Sequence, residues 1–490
     1  MAMASATDVQ TLDNFIGGRW VKAHATEFYE VRNPALGEVI GRTPMSTAPD
    51  VDAAVQAATR ALPAWRNTPV NARAQILYRL KALMEAHFDE IARTVTTEHG
   101  KTLDEARGSV RRGIECVEVA CGAPSLMQGL GLEDVAAGID CHVVRQPLGV
   151  CAAIAPFNFP AMVPMWFLPF AIVTGNTFVL KPSEQVPLSQ RRMMELLQQC
   201  DLPPGVVNLV NGGREVVDAI CDHPGIRAVS FVGSTPVAKH VYQRATHAGK
   251  RVQALGGAKN FVVVLPDADF DRSMGPIAES FYGCAGERCL AGSMLVPIGD
   301  AHREARDRMV AAARAIKVGD GTQPGVAMGP LISARHRERV VGYIEKGIAE
   351  GAKLLVDGRE VGVPERPNGY FVGPTVFDEV SPRMAIGYEE IFGPVASISP
   401  VKSLDEAIAL MHQHPNANAT SIFTSSGKAA REFAKHATAS MVGVNIGVAA
   451  PMAYFPFGGA KDSFFGDLKA HGRDGFEFYT DKKVTISRWF

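Results

Sequence analysis

Apolar positions follow two rhythms along this chain. From Asp50 to Ala64, and again from Asn71 to His99, they recur three and four residues apart, the spacing that lines one face of a helix. One helix is expected in the first stretch, introduced by a Pro-Asp cap, and two in the second. Further on, β-branched runs take over: VVNLV (206–210) and AVSFVG (228–233), each followed by a helical segment, and FVVVL (261–265). A second series runs from Gly292 to Ser399 and includes SMLVPIG and a helix from His336 to Glu350. Strands alternating with helices predict doubly wound parallel sheets. The segment Asp140 to Gln146 and the closing VTISRWF read as strands outside that alternation, of the kind that often serves subunit contacts.

One window could be mistaken for a membrane span. Between Arg145 and Lys181 lie 35 residues without a formal charge, including AMVPMWFLPFAIVTG. A spanning helix needs about 20 predominantly apolar residues, yet Pro156, Pro160, Pro164 and Pro169 recur here with Asn158 among them. Each proline inside a helix costs about 3 kcal/mol. The window therefore predicts a buried strand (Gly149 to Ala155), a proline-rich turn, a buried helix and a second strand (Thr177 to Leu180).

Composition narrows the class. Hydrophobic residues make up 47% of the 490 and charged residues 21%, while 50 basic and 51 acidic side chains leave a net charge of -1. That balance excludes a disordered chain and gives no footing for nucleic-acid binding. Two to four domains of ordinary size are expected. The eight cysteines show no C-x-x-C spacing and no accompanying histidine cluster, so neither a zinc site nor any other metal site is expected. The N-terminus lacks a basic region followed by an apolar stretch. A reducing, cytoplasmic setting follows, with most thiols buried and inert.

Three segments carry candidate chemistry. In SFVGSTPVAKHV a strand ends at Val232, Gly233 permits a tight turn, Ser234 or Thr235 can cap, and Pro236 fits the first helical position. Such a helix start offers free N–H groups to an anion, although from this segment alone a well-capped helix is the plainer reading. LKPSE places Lys181 and Glu184 at a strand's carboxyl end, where ligands of open α/β sheets bind. In FYGCAGERCLAG, Cys289 lies in a glycine-flanked loop with Arg288 beside it, and a guanidinium favours the reactive thiolate. A buried structural thiol is the plainer alternative. Cys284, with no adjacent cation, is the weaker candidate.

PFNFP, LKPSE, FVGST, GAKN, GERC and EEIFGP occur in an order and at spacings that resemble the aldehyde dehydrogenase superfamily, from FIGGRWV (15–21) to the C-terminus. The resemblance implies an α/β fold of two doubly wound parallel-sheet domains plus a small β oligomerisation element. Residues 1–124 and 147–256 would form the NAD-binding domain, 257–446 the catalytic domain, and 125–146 with 468–490 the oligomerisation element. It implies Cys289 as the nucleophile, with Asn158 and the Cys289 backbone N–H as the oxyanion hole. Ala155, Phe157, Lys181, Glu184, Gly233, Ser234, Glu390 and Phe392 would contact NAD. A carboxylate at position 184 would repel a 2′-phosphate and favour NAD over NADP.

Two departures from the superfamily pattern bear on the product. Hydrolytic members carry a glutamate at the start of E-L-G-G-K; here VQALGGAKN puts Leu255 there, and GDLKAHG gives Leu468 where a further glutamate is common. Leucine cannot take a proton. That loss resembles the coenzyme A-acylating branch, the methylmalonate-semialdehyde dehydrogenases, as do GSVRRGIE (108–115), VGVN (442–445) and FYTDKK (478–483). The branch implies Arg112 and Arg288 as holders of a small semialdehyde's carboxylate, with coenzyme A as co-substrate and a homo-oligomer, dimer or tetramer. A surface ion pair for Arg112 and thiolate support by Arg288 are the plainer readings. A hydrolytic enzyme using Glu287 as its base is the alternative activity.

Overall fold

The computed structural model describes residues 9–490. Two large sheets organise it. The first runs Arg19–Val21, Asn14–Ile16, Val207–Leu209, Thr177–Lys181, Val150–Ile154, Ile226–Val232, Arg251–Leu255, Phe464–Phe465, with its five central pairing strands parallel and its outer pairings antiparallel. The second runs Lys353–Val356, Thr375–Asp378, Val395–Ile398, Gly292–Pro297, Asn260–Val264, Ala419–Phe423, Met441–Val444, antiparallel only at its first pairing. Val150–Ile154, Thr177–Lys181, Asn260–Val264 and Ala419–Phe423 are buried at every position. A parallel sheet covered by helices on both faces requires this, which is why these strands read as continuous apolar runs.

The helical rhythm of the N-terminal stretch gives Ala48–Asn67, Val70–Ala86 and Phe88–His99. The first starts earlier than the expected Pro-Asp cap. Thr47 is the capping residue, in a reciprocal box with the Asp50 carboxylate, and Pro63 is carried inside the helix. The next helix, Leu103–Cys121, opens on a Thr102–Glu105 box and carries Arg112. The uncharged window holds its two strands, but the buried helix expected between them is shorter. A 3-10 turn, Val163–Trp166, precedes Leu168–Val173 because prolines at 164 and 169 admit only first-turn positions. Among the described residues, no helix is long and apolar enough to cross a membrane.

Leu130–Ala136, Ile139–Pro147 and Thr480–Arg488 form a separate antiparallel sheet whose residues face largely outward. Before that last strand, the chain returns to the first core: Phe457, Ala470, Phe476 and Tyr479 are buried in the same cluster as Trp166 and Phe170. The C-terminal tail is thus packed into the core of the first sheet.

Candidate active site

Cys289 sits on the loop between helix Phe270–Tyr282 and strand Gly292–Pro297. Three successive residues, Cys284 (φ 50°), Ala285 (φ 52°) and Gly286 (φ 73°), turn the loop through the left-handed region. At Gly286 a Cβ would strike the Gly393 carbonyl oxygen, so glycine is what lets the GERC and EEIFGP loops touch. The Cys289 carbonyl is held from two sides, by Asn260 Nδ2 (2.9 Å) and Asn418 Nδ2 (2.8 Å). Asn260 belongs to GAKN. Asn418 had no signal in the sequence beyond a polar residue just before a buried strand. Burial, and then the nearby Glu390 carboxylate, push the Cys289 thiol up to about 12, against its own loop's N–H groups and Arg288.

Asn158 is buried against this loop. Its Nδ2 donates to the Glu287 carbonyl oxygen (2.9 Å), and its own carbonyl accepts from Lys101 Nζ (2.6 Å), whose ammonium also lies 3.8 Å from the Phe159 ring centre. The buried Lys101, which the sequence did not single out, therefore fixes the backbone that presents Asn158. One amide N–H of Asn158 is left over.

A 680 Å³ cavity is lined by Cys289, Arg112 and Arg288 together, with Trp166 and Phe457 on another side. Arg288 acts on both thiols of its loop, opposing the rise of the Cys289 thiol as well as that of Cys284. Its guanidinium donates to Glu279 (2.9 Å) and Glu105 (3.3 Å) and lies beside Cys284, so the cation that Cys284 was expected to lack is supplied by folding. Burial still lifts the Cys284 thiol above its ordinary value. Arg112 Nη1 lies 3.0 Å from Glu115 Oε2 and 2.9 Å from Met452 Sδ.

A second cavity, of 1080 Å³, is lined by Phe157, Glu184, His336 and Arg339 among others. Lys181 Nζ is 2.8 Å from Glu184 Oε2. Burial would raise the Glu184 carboxyl, but the Lys181 ammonium holds it below the usual carboxylate range. The Ala155 N–H donates to the Lys181 carbonyl (2.9 Å) and sets the end of both strands. Ser234 takes the N-cap position of helix Thr235–His247, so Pro236 is the second helical residue and not the first, and the Ser234 side chain makes no capping hydrogen bond. Gly233 and Ser234 line neither cavity.

The EEIFGP loop lies against the GAKN segment and the GERC loop, where Glu390 and Phe392 line a small pocket with Lys259, Gly286 and Arg288. Lys259 Nζ donates to the carbonyls of Ile386 (2.7 Å) and Glu389 (2.9 Å), and the Ala258 N–H donates to Glu390 Oε1 (2.8 Å). Burial raises the Glu390 carboxyl to about 7. Phe392 (φ 60°) meets Phe157 edge-on at 5.8 Å, and its carbonyl accepts from His336 Nε2 (2.7 Å).

Leu255 is buried at the end of its strand, paired with Val232 and Phe464, and Leu468 packs half-buried on the first core. Glu287 faces away from the thiol's cavity. Its Oε1 accepts from the Ile332 N–H (3.2 Å), while Oε2 has no partner and lies 3.8 Å from His99 Nε2. Full burial holds this carboxyl well above its ordinary range.

The model of the aldehyde dehydrogenase family matches residues 20–485, and the chain belongs to that family. It is 50% identical over 483 residues to malonate-semialdehyde dehydrogenase 2 of Geobacillus kaustophilus (strain HTA426), covering 99% of this chain and 100% of that one. Malonate-semialdehyde dehydrogenase of Halalkalibacterium halodurans is 48% identical, again over 99% of this chain and 100% of its own. Among solved structures, methylmalonate-semialdehyde dehydrogenase from Oceanimonas doudoroffii superposes with a TM-score of 0.97 at 46% identity, covering 98% of this chain and 99% of that one. A protein from Sinorhizobium meliloti 1021, solved in complex with NAD, gives 0.97 at 42% identity, over 98% of both chains.

Proposed function

We propose that the chain is an NAD-dependent, coenzyme A-acylating dehydrogenase of a small semialdehyde bearing a free carboxylate, malonate or methylmalonate semialdehyde. One observation carries the reading: a single thiol loop and two guanidiniums, Cys289 with Arg112 and Arg288, converge on one 680 Å³ cavity. The names of relatives about half identical to this chain point the same way.

The two arginines receive the substrate carboxylate through charge-assisted bonds from the guanidinium N–H groups that their glutamate partners leave free. That fixes the aldehyde carbon over the Cys289 sulfur. As the thiolate adds, charge develops on the former carbonyl oxygen, where the remaining Asn158 amide N–H and the Cys289 backbone N–H donate; such donors are worth about 3 kcal/mol each. The residues of the second cavity suit a dinucleotide: Glu184, kept ionised by Lys181, accepts from ribose hydroxyls and repels a 2′-phosphate. Glu390 and Phe392, beside that cavity's Phe157, would meet the nicotinamide end, with Phe157 edge-on to Phe392, and the start of helix Thr235–His247, at Gly233 and Ser234, would meet the pyrophosphate. Bound NAD supplies the acceptor for the hydride given up by the thiohemiacetal, which leaves a thioester on Cys289.

Water finds no free carboxylate to activate it there. Those on the cavity wall are each paired with an arginine: Asp104 with Arg107, Glu105 and Glu279 with Arg288, and Glu115 with Arg112. The thiol of coenzyme A resolves the thioester instead, since exchange between two sulfurs is nearly balanced. Loss of the substrate carboxylate as carbon dioxide, with the carbanion delocalised into the thioester carbonyl, gives acetyl-CoA or propionyl-CoA. The eight unpaired thiols suit a cytoplasmic setting, and the outward-facing three-stranded sheet suits assembly into a homo-oligomer.

The test is product analysis with malonate semialdehyde and NAD, with and without coenzyme A. Turnover beyond one equivalent of NADH is expected only with coenzyme A. Sustained NADH formation without it, yielding a free acid, would overturn the acylating reading and favour a hydrolytic enzyme.

A further inference from the structure

The helix that carries Arg112 and the loop that carries Arg288 are joined by one carboxylate, that of Glu105. Glu105 is the third residue of helix Leu103–Cys121, and Arg112 follows two turns later on the same face. Its side chain is 11% exposed, and both oxygens are engaged. Oε2 accepts from the Thr102 N–H (2.8 Å) and closes the capping box at the helix start. Oε1 reaches out of the helix. It accepts from the Cys284 N–H (2.5 Å), where the thiol loop enters the left-handed region, and from Arg288 Nη2 (3.3 Å). Without that oxygen, a buried backbone donor and a buried guanidinium would both lose a partner.

The other carboxylate on Arg288, Glu279, is closer at 2.9 Å but 60% exposed. A pair open to water holds a side chain weakly, so the buried Glu105 is the firmer anchor. From the opposite side the guanidinium lies against Gly283, where a Cβ would strike it. The reacting groups are anchored separately. Asn260 and Asn418 hold the Cys289 carbonyl, and Lys101 and the Glu287 carbonyl hold Asn158. None of those bonds runs through Glu105.

We infer that Glu105 is a positioning residue for substrate specificity: by tying the start of the Arg112 helix to the Arg288 loop, it sets the separation and orientation of the two guanidiniums. This rests on the reading of the cavity as a site for carboxylate-bearing semialdehydes. A small carboxylate must reach both arginines while its aldehyde carbon stays over Cys289, so the spacing of the pair decides which substrates are held productively. Glu105 acts through Arg288. An aldehyde without a carboxylate does not use the pair.

The experiment measures kcat and KM for malonate semialdehyde and for propanal, with NAD and coenzyme A, in the wild-type chain, Glu105→Gln, Glu105→Asp, Arg288→Ala and the double variant Glu105→Gln/Arg288→Ala. Glutamine matches glutamate in shape and suits the capping box, but removes the charge. In Glu105→Gln, kcat/KM for malonate semialdehyde should fall about tenfold, with KM carrying most of the loss, while propanal stays within about twofold. Glu105→Asp keeps the charge with a shorter reach and should lose less on malonate semialdehyde; it carries the comparison if the glutamine variant does not fold. The double variant should match Arg288→Ala within about twofold, because a residue that works through Arg288 has nothing left to position. Losses that multiply in the double variant, equal losses on the two aldehydes, or no loss on malonate semialdehyde would each overturn the role of Glu105. A lower KM for malonate semialdehyde in Glu105→Gln would overturn it as well, since it would show Glu105 competing with the substrate for Arg288. A wild-type chain with no preference for malonate semialdehyde over propanal would instead overturn the functional reading, and the inference with it.

Discussion

At the scale of single residues, charge and burial set the chemistry of Cys289 and of the arginines around it. Burial holds the Cys289 thiol at about 12, so the thiolate is a small fraction at neutral pH and grows as pH rises. Alkylation of Cys289 by iodoacetamide in the cofactor-free protein is therefore expected to speed up about tenfold per pH unit from pH 7 to 10, read by mass spectrometry of its peptide. A plateau near pH 8 would show a thiol far more acidic than the buried geometry allows. Arg112→Ala and Arg288→Ala should each lower kcat/KM for malonate semialdehyde about 100-fold while reducing propanal turnover comparatively little, because each removes a charge-assisted bond. Equal losses on both aldehydes would argue against carboxylate recognition. Cys289, Arg112 and Arg288 could be picked from their local words, since GERC and GSVRRGIE are contiguous. Which thiol Arg288 sits beside could not, because that depends on Glu279 and Glu105 drawing the guanidinium toward Cys284.

At the scale of elements, the site depends on two loops meeting through a glycine. Gly286 lies at φ 73°, and a Cβ there would strike the Gly393 carbonyl. Gly286→Ala should thus push the EEIFGP loop away, raise the KM for NAD several-fold and cost more than about 1 kcal/mol of stability, measured by steady-state kinetics and thermal unfolding. An unchanged KM for NAD would show that the two loops are not coupled. Strands were the most legible elements here. Val150–Ile154, Thr177–Lys181 and Asn260–Val264 are buried on both faces, so their apolar runs are uninterrupted. The helix after Phe159 was less legible, since its prolines limit it to short turns that no 3.6-residue rhythm reveals. The cap of the first helix was misplaced because Thr47 and Asp50 cap reciprocally, three residues apart, while the Pro-Asp pair draws the eye.

At the scale of the whole molecule, the three-stranded sheet is the feature that a single chain leaves unsatisfied. Leu130 (78% exposed), Leu132 and Ile486 point to solvent from its strands. An apolar face of this kind suits a contact with another copy of the chain. The wild-type particle is expected at a multiple of 52.5 kDa in light scattering, and Leu132→Asp with Ile486→Asp should lower that multiple while leaving the far-UV circular dichroism unchanged. A wild-type particle of 52.5 kDa would remove the sheet's proposed role in assembly.

The sequence by itself determined the α/β class, the buried strands and the types of residue at their ends, because these follow from local periodicity and from motifs read as short contiguous words. It also placed leucine at 255 and 468, which is a matter of identity and needs no coordinates. Tertiary structure alone decided which groups face one another. Asn418 reaches the Cys289 carbonyl from 129 residues away, Lys101 supports Asn158 from 57 away, and Glu105 meets the Cys284 N–H from 179 away. Such pairings arise when separate strands and helices are packed into shared cores, and the free energy that selects them comes from burying whole faces, to which each polar residue contributes too little to leave a pattern along the chain.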